Sequence, residues 1–284
     1  MSLPGQWIER GSADYPPALA ECPTAPGRLW IRGDISLLGR RCVAIVGTRS
    51  ATAYGERVAH ELARTLALAG ACVVSGLARG IDGAAHRGAL EAGGATIAVL
   101  GTGVDVVYPR AHAQLQATIG ARGLLVSELA PANVAHGGSF PKRNRIIAAL
   151  ASVTVVVEAP HKSGALITAA HALELGRTVA VVPGPIDIPQ AQGSNELLRD
   201  GAMPITSIAD AVTLLGLDVP IRAVDLPTDG AELRLWNALV AGPGDLDALC
   251  ARAGLRVHEG MAAASALEMR GIIQCTLTGE IRRS

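Results

Sequence analysis

The chain has 284 residues, 49 % of them hydrophobic, and its 25 Lys+Arg balance 25 Asp+Glu, which describes a globular protein with apolar mass for one large or two small cores. Zero net charge gives no overall field to gather a polyanion, so any anion site must come from local clustering. Five widely spaced cysteines without C-x-x-C point to neither a disulfide framework nor a zinc site, and no run reaches signal-peptide or membrane-span length, so a cytoplasmic location with no membrane contact is expected.

Residues 1–38, with YPPAL and RLWIRGD, read as a short N-terminal arm lying on the domain that follows, anchored by Trp30 and Ile31. From there, β-branched runs at 42–46, 71–75, 95–100, 124–128, 153–159 and 178–183 alternate with helical stretches. In the first connector Val58, Leu62 and Leu66 recur every four residues beside Ala59 and Ala63, a stripe that ends near Gly70. The runs show little polar alternation, as expected of strands covered on both faces. The expected fold is α/β, a Rossmann-like doubly wound and mainly parallel sheet over 39–216. LDVPIRAVDLPTDG reads as a linker at about 217–228. Three short helical patterns and an alternating segment over 229–284 predict a small winged helix-turn-helix domain.

Doubly wound sheets bind ligands beyond the carboxyl ends of their strands. The loops there are GTRSATAYG (47–55), SGLARGID (75–82), GTGVDVVYP (101–109), the stretch ending in SFPKRNR (139–145), APHKSGALITAA (159–170) and PGPID (183–187). Gly47 and the small residues after it let backbone N–H groups approach an anion, with Thr48 beside them and Arg49 as a clamp; the plainer reading is a tight turn with a solvated Arg49. Gly76 and Arg79 belong to the second loop. Asp82 and His86 lie one helical turn apart without an evident third metal ligand, so no metal is expected; Asp82 is expected to steady the helix N-terminus. Lys162, Ser163 and Thr168 surround Gly164 at another helix start, a place for a further phosphate. Neither G-x-G-x-x-G spacing, a P-loop nor a G-x-S-x-G elbow occurs, so neither a cofactor nor a catalytic residue is assigned.

The fourth loop holds the only Phe of the chain, Phe140. From Leu129 to Val157 there is no Asp or Glu, while Lys142, Arg143 and Arg145 give the segment a local charge of +3. A flat ring beside cations is the combination that holds single-stranded nucleic acid. The alternative is a ring that fills a gap in the core, and these residues alone leave both open.

GTRSATAYG, SGLARGIDGAAHRGAL, GTGVDVVYP, SELAP, FPKRNRIIAAL, SGALITAAHALELGR, VPG and GSNELLRDGA follow one another in the order seen in the DNA-processing protein A (DprA/Smf) family, which the chain resembles from about Tyr15 to Ala211. The resemblance implies a homodimeric, non-enzymatic protein that binds single-stranded DNA, protects it and loads the RecA recombinase onto it in natural transformation and recombination. It also implies a basic pocket formed by Gly47, Thr48 and Arg49 with Phe140, Lys142, Arg143, Asn144 and Arg145. Two departures stand out: the arm is too short for the helical domain that often precedes the sheet, and VHEGMAAASALEMRG carries two glutamates where a duplex reader needs cations. The competing class is a nucleotide-binding enzyme or sensor related to phosphoribohydrolases. Their loop carries a Glu for which this chain has no counterpart in SGALITAAH, Glu174 lying further along.

Overall fold

Each of the six β-branched runs forms a strand of one nine-stranded sheet in the computed structural model, which describes residues 6–218, 227, 230–269, 272–276 and 279–283. The strands are β1 (Gln6–Glu9), β2 (Arg28–Gly33), β3 (Cys42–Val46), β4 (Cys72–Ser75), β5 (Ala95–Leu100), β6 (Leu124–Ser127), β7 (Val153–Val156), β8 (Thr178–Val181) and β9 (Met203–Pro204). Their order is β1-β2-β6-β5-β4-β3-β7-β8-β9. All neighbours from β6 to β9 are parallel, while β2 pairs antiparallel with β6 and with β1. The chain therefore runs outward from β3 to β6 and returns to the other side of β3 as β7. The gap between the carboxyl ends of β3 and β7 is the switch point where such sheets form a crevice.

The N-terminal arm, expected to lie on the domain that follows, extends that domain's own sheet, with Trp30 opposite Ser127 and Trp7 opposite Trp30. Ile31 does enter the core, whereas Trp30 is only partly buried.

Between strands come α1 (Pro17–Ala20), α2 (Ala53–Leu68), α3 (Ile81–Glu91), α4 (Ala113–Arg122), α5 (Ser139–Leu150), α6 (Gly164–Glu174), α7 (Gln192–Arg199) and α8 (Ile208–Leu214). Strand β3 has every residue buried and divides them by parity: Val43 and Ile45 pack with Leu62 and Leu66 of α2 and with Ile81 and Ala85 of α3, while Ala44 and Val46 pack with Ile146 of α5 and Ala169 of α6. This two-sided burial is why the strands lack polar alternation. Helix α2 starts where the Thr52 side chain accepts the Gly55 N–H at 3.0 Å, with Glu56 in its first turn complementing the helix dipole, and ends just before Gly70 at φ +90°.

The chain divides into two compact units, Met1–Pro220 and Ile221–Ser284. The smaller holds α9 (Gly230–Val240), α10 (Leu246–Ala253) and α11 (Val257–Met269), then an antiparallel pair, β10 (Ile273–Cys275) and β11 (Ile281–Arg283). Leu235, Leu249, Leu267, Ile273 and Ile281 share its core. Most of the expected linker at 217–228 lies outside the described residues.

Candidate nucleic-acid interface

At the switch point lies a cleft of about 300 Å³, lined from the loop after β3 by Gly47, Thr48 and Arg49, from α5 by Phe140, Arg143 and Asn144, and from the start of α6 by Lys162, Ser163 and Thr168. A second cleft of about 620 Å³ adjoins it over the ends of β4 and β5, and Arg49, Phe140 and Arg143 line both. Gly76, Arg79, Tyr108 and Arg110 line the second. All but two of the residues expected from sequence therefore meet in these clefts at one edge of the sheet. The exceptions are Lys142 and Arg145, which line neither cleft and turn to Glu128 instead.

Their roles differ sharply. Arg143 is 6 % exposed, and its guanidinium donates to the carbonyls of Gly76 (2.6 Å) and Val99, while its Nε donates to Asn144 Oδ1 at 3.1 Å. Burial lowers this guanidinium to about 10, Asp82 countering the shift, so it remains charged at neutral pH. A Cβ on Gly76 would overlap the Arg143 guanidinium, which is the reason for glycine there. Asn144 passes the contact on, donating to the Gly164 carbonyl at 3.0 Å. Arg143 and Asn144 thus tie the ends of β4 and β5 to the start of α6. Arg145 is also buried and donates to Glu128 Oε1 at 2.8 Å, and Lys142 reaches the same oxygen at 3.3 Å. The expected local charge of +3 is corrected by this geometry: the acid-free window begins one residue after Glu128, which folds back onto two of its three cations.

The loop backbones are also occupied. The Thr48 N–H donates to the Glu158 carbonyl at 2.7 Å, the Thr52 N–H and hydroxyl donate to the Glu158 carboxylate at 2.9 and 2.5 Å, and the Ser50 N–H turns to Thr48 Oγ1 at 3.2 Å. In the second loop the N–H groups of Gly76 and Ala78 donate to Asp82 at 3.1 and 3.4 Å. Asp82 also accepts from the Gly47 backbone, and its carboxyl is raised above the usual range by burial, Arg143 opposing the shift. Two buried carboxylates, Asp82 and Glu158, therefore sit where a phosphate loop would put its ligand. The expectation that the Gly47 loop cradles an anion through its N–H groups is replaced by one in which side chains carry the charge. Glu158 escaped the sequence reading because a lone Glu after a strand has no signature; its only trace was that it bounds the acid-free window. His86 is fully buried, with Nδ1 2.7 Å from Thr96 Oγ1 and no partner for Nε2; burial lowers it to about 3.

At α6, Ser163 is the N-cap, its Oγ accepting the Ala165 N–H at 3.3 Å, and Thr168 Oγ1 is 3.5 Å from the Gly164 carbonyl. Lys162 is exposed, with a left-handed backbone at φ +61°.

What faces solvent is a ring system with cations. Phe140 is half-buried. Gly101 lies so close beneath its ring that a Cβ there would overlap it; Tyr108 packs at 4.9 Å between centroids, and the Arg49 guanidinium lies 5.4 Å from the Phe140 centroid. The two readings of Phe140 resolve into a ring seated on the sheet edge rather than in either core layer. Tyr108, 44 % exposed, is the residue that sequence reasoning missed, since its loop was recognised but not its contact with Phe140. Arg49, Arg79, Arg110 and Lys162, which line the clefts with these rings, are exposed, and so is Lys142, which reaches Glu128. Among the described residues no group of three His, Cys, Asp or Glu side chains could hold a metal ion, and no helix is long and apolar enough to cross a membrane.

Comparison with known proteins places this arrangement. Protein Smf of Escherichia coli is 39 % identical over 97 % of this chain and 76 % of its own length, and the DNA processing protein DprA of Bacillus subtilis is 42 % identical over 72 % and 69 %. The X-ray structure of DprA from Streptococcus pneumoniae superposes with a TM-score of 0.71 at 40 % identity, covering 74 % of each chain. DNA processing protein A of Helicobacter pylori, whose structure was described for its mode of binding single-stranded DNA, gives 0.67 at 34 % identity over 75 % of this chain and 97 % of that one. Residues 6–216, which contain the whole sheet and both clefts, match the model of DNA recombination-mediator protein A, and the chain belongs to that family.

Proposed function

We propose that this protein binds single-stranded DNA along the carboxyl edge of its sheet and acts as a recombination mediator, delivering the strand to a recombinase of the RecA type. The observation that carries the reading is Phe140, held half-exposed between Gly101, Tyr108 and Arg49 with further exposed cations on both sides. Rings for bases and side-chain cations for phosphates suit a flexible strand and read no groove. Binding rather than catalysis is supported by the commitment of the buried acids: Asp82 and Glu158 are engaged by loop N–H groups and by Thr52, which favours a structural role over that of a general base. The same engagement disfavours a mononucleotide enzyme or sensor.

Arg49, Arg79, Arg110 and Lys162 are exposed side chains lining the clefts, with Lys142 exposed near them although it reaches Glu128, and this set supports about three or four phosphate contacts. Oligo-dT should then bind more tightly than duplex of equal length, with log K falling against log salt at a slope of about −2 to −3. Equal affinity for duplex, or no salt response, overturns the reading. Homodimerisation and a cytoplasmic location belong to the same proposal. Light scattering that returns 29.0 kDa at micromolar concentration, with and without DNA, would remove the dimer.

For the smaller unit, three helices followed by an antiparallel ribbon support a winged-helix reading. Its α11 exposes Val257, Met261 and Met269, and Arg256 just before it is held by Glu259 at 2.7 Å. Apolar exposure with little free cation favours a protein-contact or regulatory role over duplex reading.

A further inference from the structure

The chain contains seven aromatic residues, and their distribution is uneven. Tyr15 is buried, donating its hydroxyl to the Pro26 carbonyl at 2.7 Å, and Trp236 belongs to the smaller unit. The other five all lie at the carboxyl edge of the large sheet. Tyr54 is in the first turn of α2 with the Arg57 guanidinium 5.5 Å from its ring centroid; Phe140 and Tyr108 share the second cleft with Arg49; Trp7 and Trp30 pair edge to face at 5.2 Å. The Arg28 guanidinium lies 5.1 Å from the Trp7 centroid and 5.9 Å from that of Trp30. All of these arginine–aromatic contacts are thus on one edge.

The position of the tryptophan pair follows from register. Trp30 is opposite Ser127, the last residue of β6, and β2 runs antiparallel, so Arg28 lies beyond the carboxyl end of β6. Trp7 is opposite Trp30 on the outermost strand. The corner is tied to the loop after β5 by the Arg32–Asp105 ion pair, and that loop continues to Tyr108. Trp7 is 51 % exposed, and the Arg28 side chain keeps 49 % of its surface although it also pairs with Glu9 at 2.7 Å. Trp30 is partly buried against the apolar cluster of Ile119 and Leu125, whereas Trp7, half in water with a guanidinium against it, belongs to no core cluster among the described residues.

We infer that the Trp7–Trp30–Arg28 corner is a second stacking platform for single-stranded DNA, which takes bases of the same strand that enters at Phe140. The inference rests on the DNA-binding reading and extends it to a site of defined length. From β5, whose end carries Gly101 under Phe140, to β1 there are three strand spacings, roughly 14 Å at about 4.8 Å each. From β3, where Arg49 follows, there are five, roughly 24 Å. Oligo-dT stacks little on itself, and a strand drawn along a row of rings is extended at about 6–7 Å per nucleotide, so these distances are roughly two and four nucleotide steps. An oligonucleotide of two residues has one step and falls short of both, whereas one of fifteen covers the whole edge. The corner offers bases a face and phosphates a guanidinium, and no hydrogen-bond reader of sequence.

The test is a titration of the full chain with dT2 and dT15, by anisotropy of labelled oligonucleotide, for the unaltered protein and for Trp7→Ala, Trp7→Phe and Arg49→Ala, with a thermal melt of each. Expected is a loss of about five- to tenfold in dT15 affinity for Trp7→Ala, no change for dT2, and near-normal binding for Trp7→Phe, since a smaller ring still stacks. Quenching of intrinsic tryptophan fluorescence by dT15 that exceeds any by dT2, reduced in Trp7→Phe, is the accompanying signature. If Trp7→Ala binds both lengths normally while Arg49→Ala weakens dT15, the platform is overturned and the cleft reading survives. If the unaltered protein does not bind dT15, both fall together. An equal loss for dT2 and dT15 in Trp7→Ala, with or without a lowered melting temperature, also overturns the platform, because a second contact out of reach of the short strand cannot act on it.

Discussion

Helices α2 and α5 pack on opposite faces of the same sheet, yet they use their polar residues in opposite ways. Along α2 the buried positions are Gly55, Ala59, Leu62, Ala63, Leu66 and Ala67, and none of the charged residues, Glu56, Arg57, Glu61 and Arg64, is among them. Along α5 burial is continuous from Arg143 to Leu150 and takes in two arginines and an asparagine. The first is an ordinary amphipathic helix, held by a stripe. The second begins under the clefts, and its polar first turns are the floor of the site: Arg143 and Asn144 clamp three loops together, and Arg145 anchors Glu128. A run of cations need not be a binding surface. Of FPKRNR, Phe140 and Lys142 are offered to solvent, and the buried Arg143, Asn144 and Arg145 hold the edge in shape.

The sharpest way to break this comparison is to remove a buried cation. Arg143→Ala leaves Asp82 without its counter-charge and takes the guanidinium donors from the Gly76 and Val99 carbonyls, and should cost about 3–5 kcal/mol in chemical denaturation. Leu62→Ala in α2 should cost about 2–5 kcal/mol through the cavity it leaves. A loss below about 1 kcal/mol for Arg143→Ala would mean that its burial is incidental.

Phe140→Ala lies between the two classes. Half of an aromatic side chain's burial corresponds to about 1–1.5 kcal/mol of stability, and loss of base stacking to about 1–3 kcal/mol of DNA affinity. Denaturation and an oligo-dT titration on this variant read the two separately. A large loss of stability with normal affinity would remove the ring from the site.

The α2–α3 layer is not free of buried polar groups, and pH sharpens the contrast there. His86 on α3 falls to about 3 when folded against 6.5 unfolded, so between these values the unfolded chain binds the extra proton. Its contribution is complete above about pH 6.5 and declines by about 1.4 kcal/mol for each unit below. Urea melts from about pH 7 to 5 should show that slope, and His86→Gln should flatten it; an unchanged slope would assign the titration elsewhere.

The smallest stability effect is expected where the cations are exposed. Arg49→Ala and Lys142→Ala should each change stability by no more than about 0.5 kcal/mol while weakening oligo-dT binding and reducing the salt slope by about 0.7 for each phosphate no longer neutralised. Unfolded variants, or unchanged affinity in the double variant, would contradict the division between clamp and contact.

The alternation of β-branched runs with a four-residue apolar stripe is a local property, and so six of the nine sheet strands, their burial on both faces and the edge that carries the loops were legible in the sequence. So were the residues that meet at that edge, because a doubly wound sheet brings all its strand-to-helix loops to one side. Three things were decided only by tertiary structure. The N-terminal arm became two strands because the edge of β6 had unpaired backbone groups to satisfy, a demand that nothing within residues 6–33 announces. Glu128, Glu158 and Asp82 neutralised or occupied what looked like free cations and free N–H groups, since charge pairing depends on distance in space and a count along the chain cannot see it. Lastly, Phe140 met Tyr108, Arg49 and Gly101 from other loops, and only their convergence left the ring half-exposed at the edge instead of inside a core.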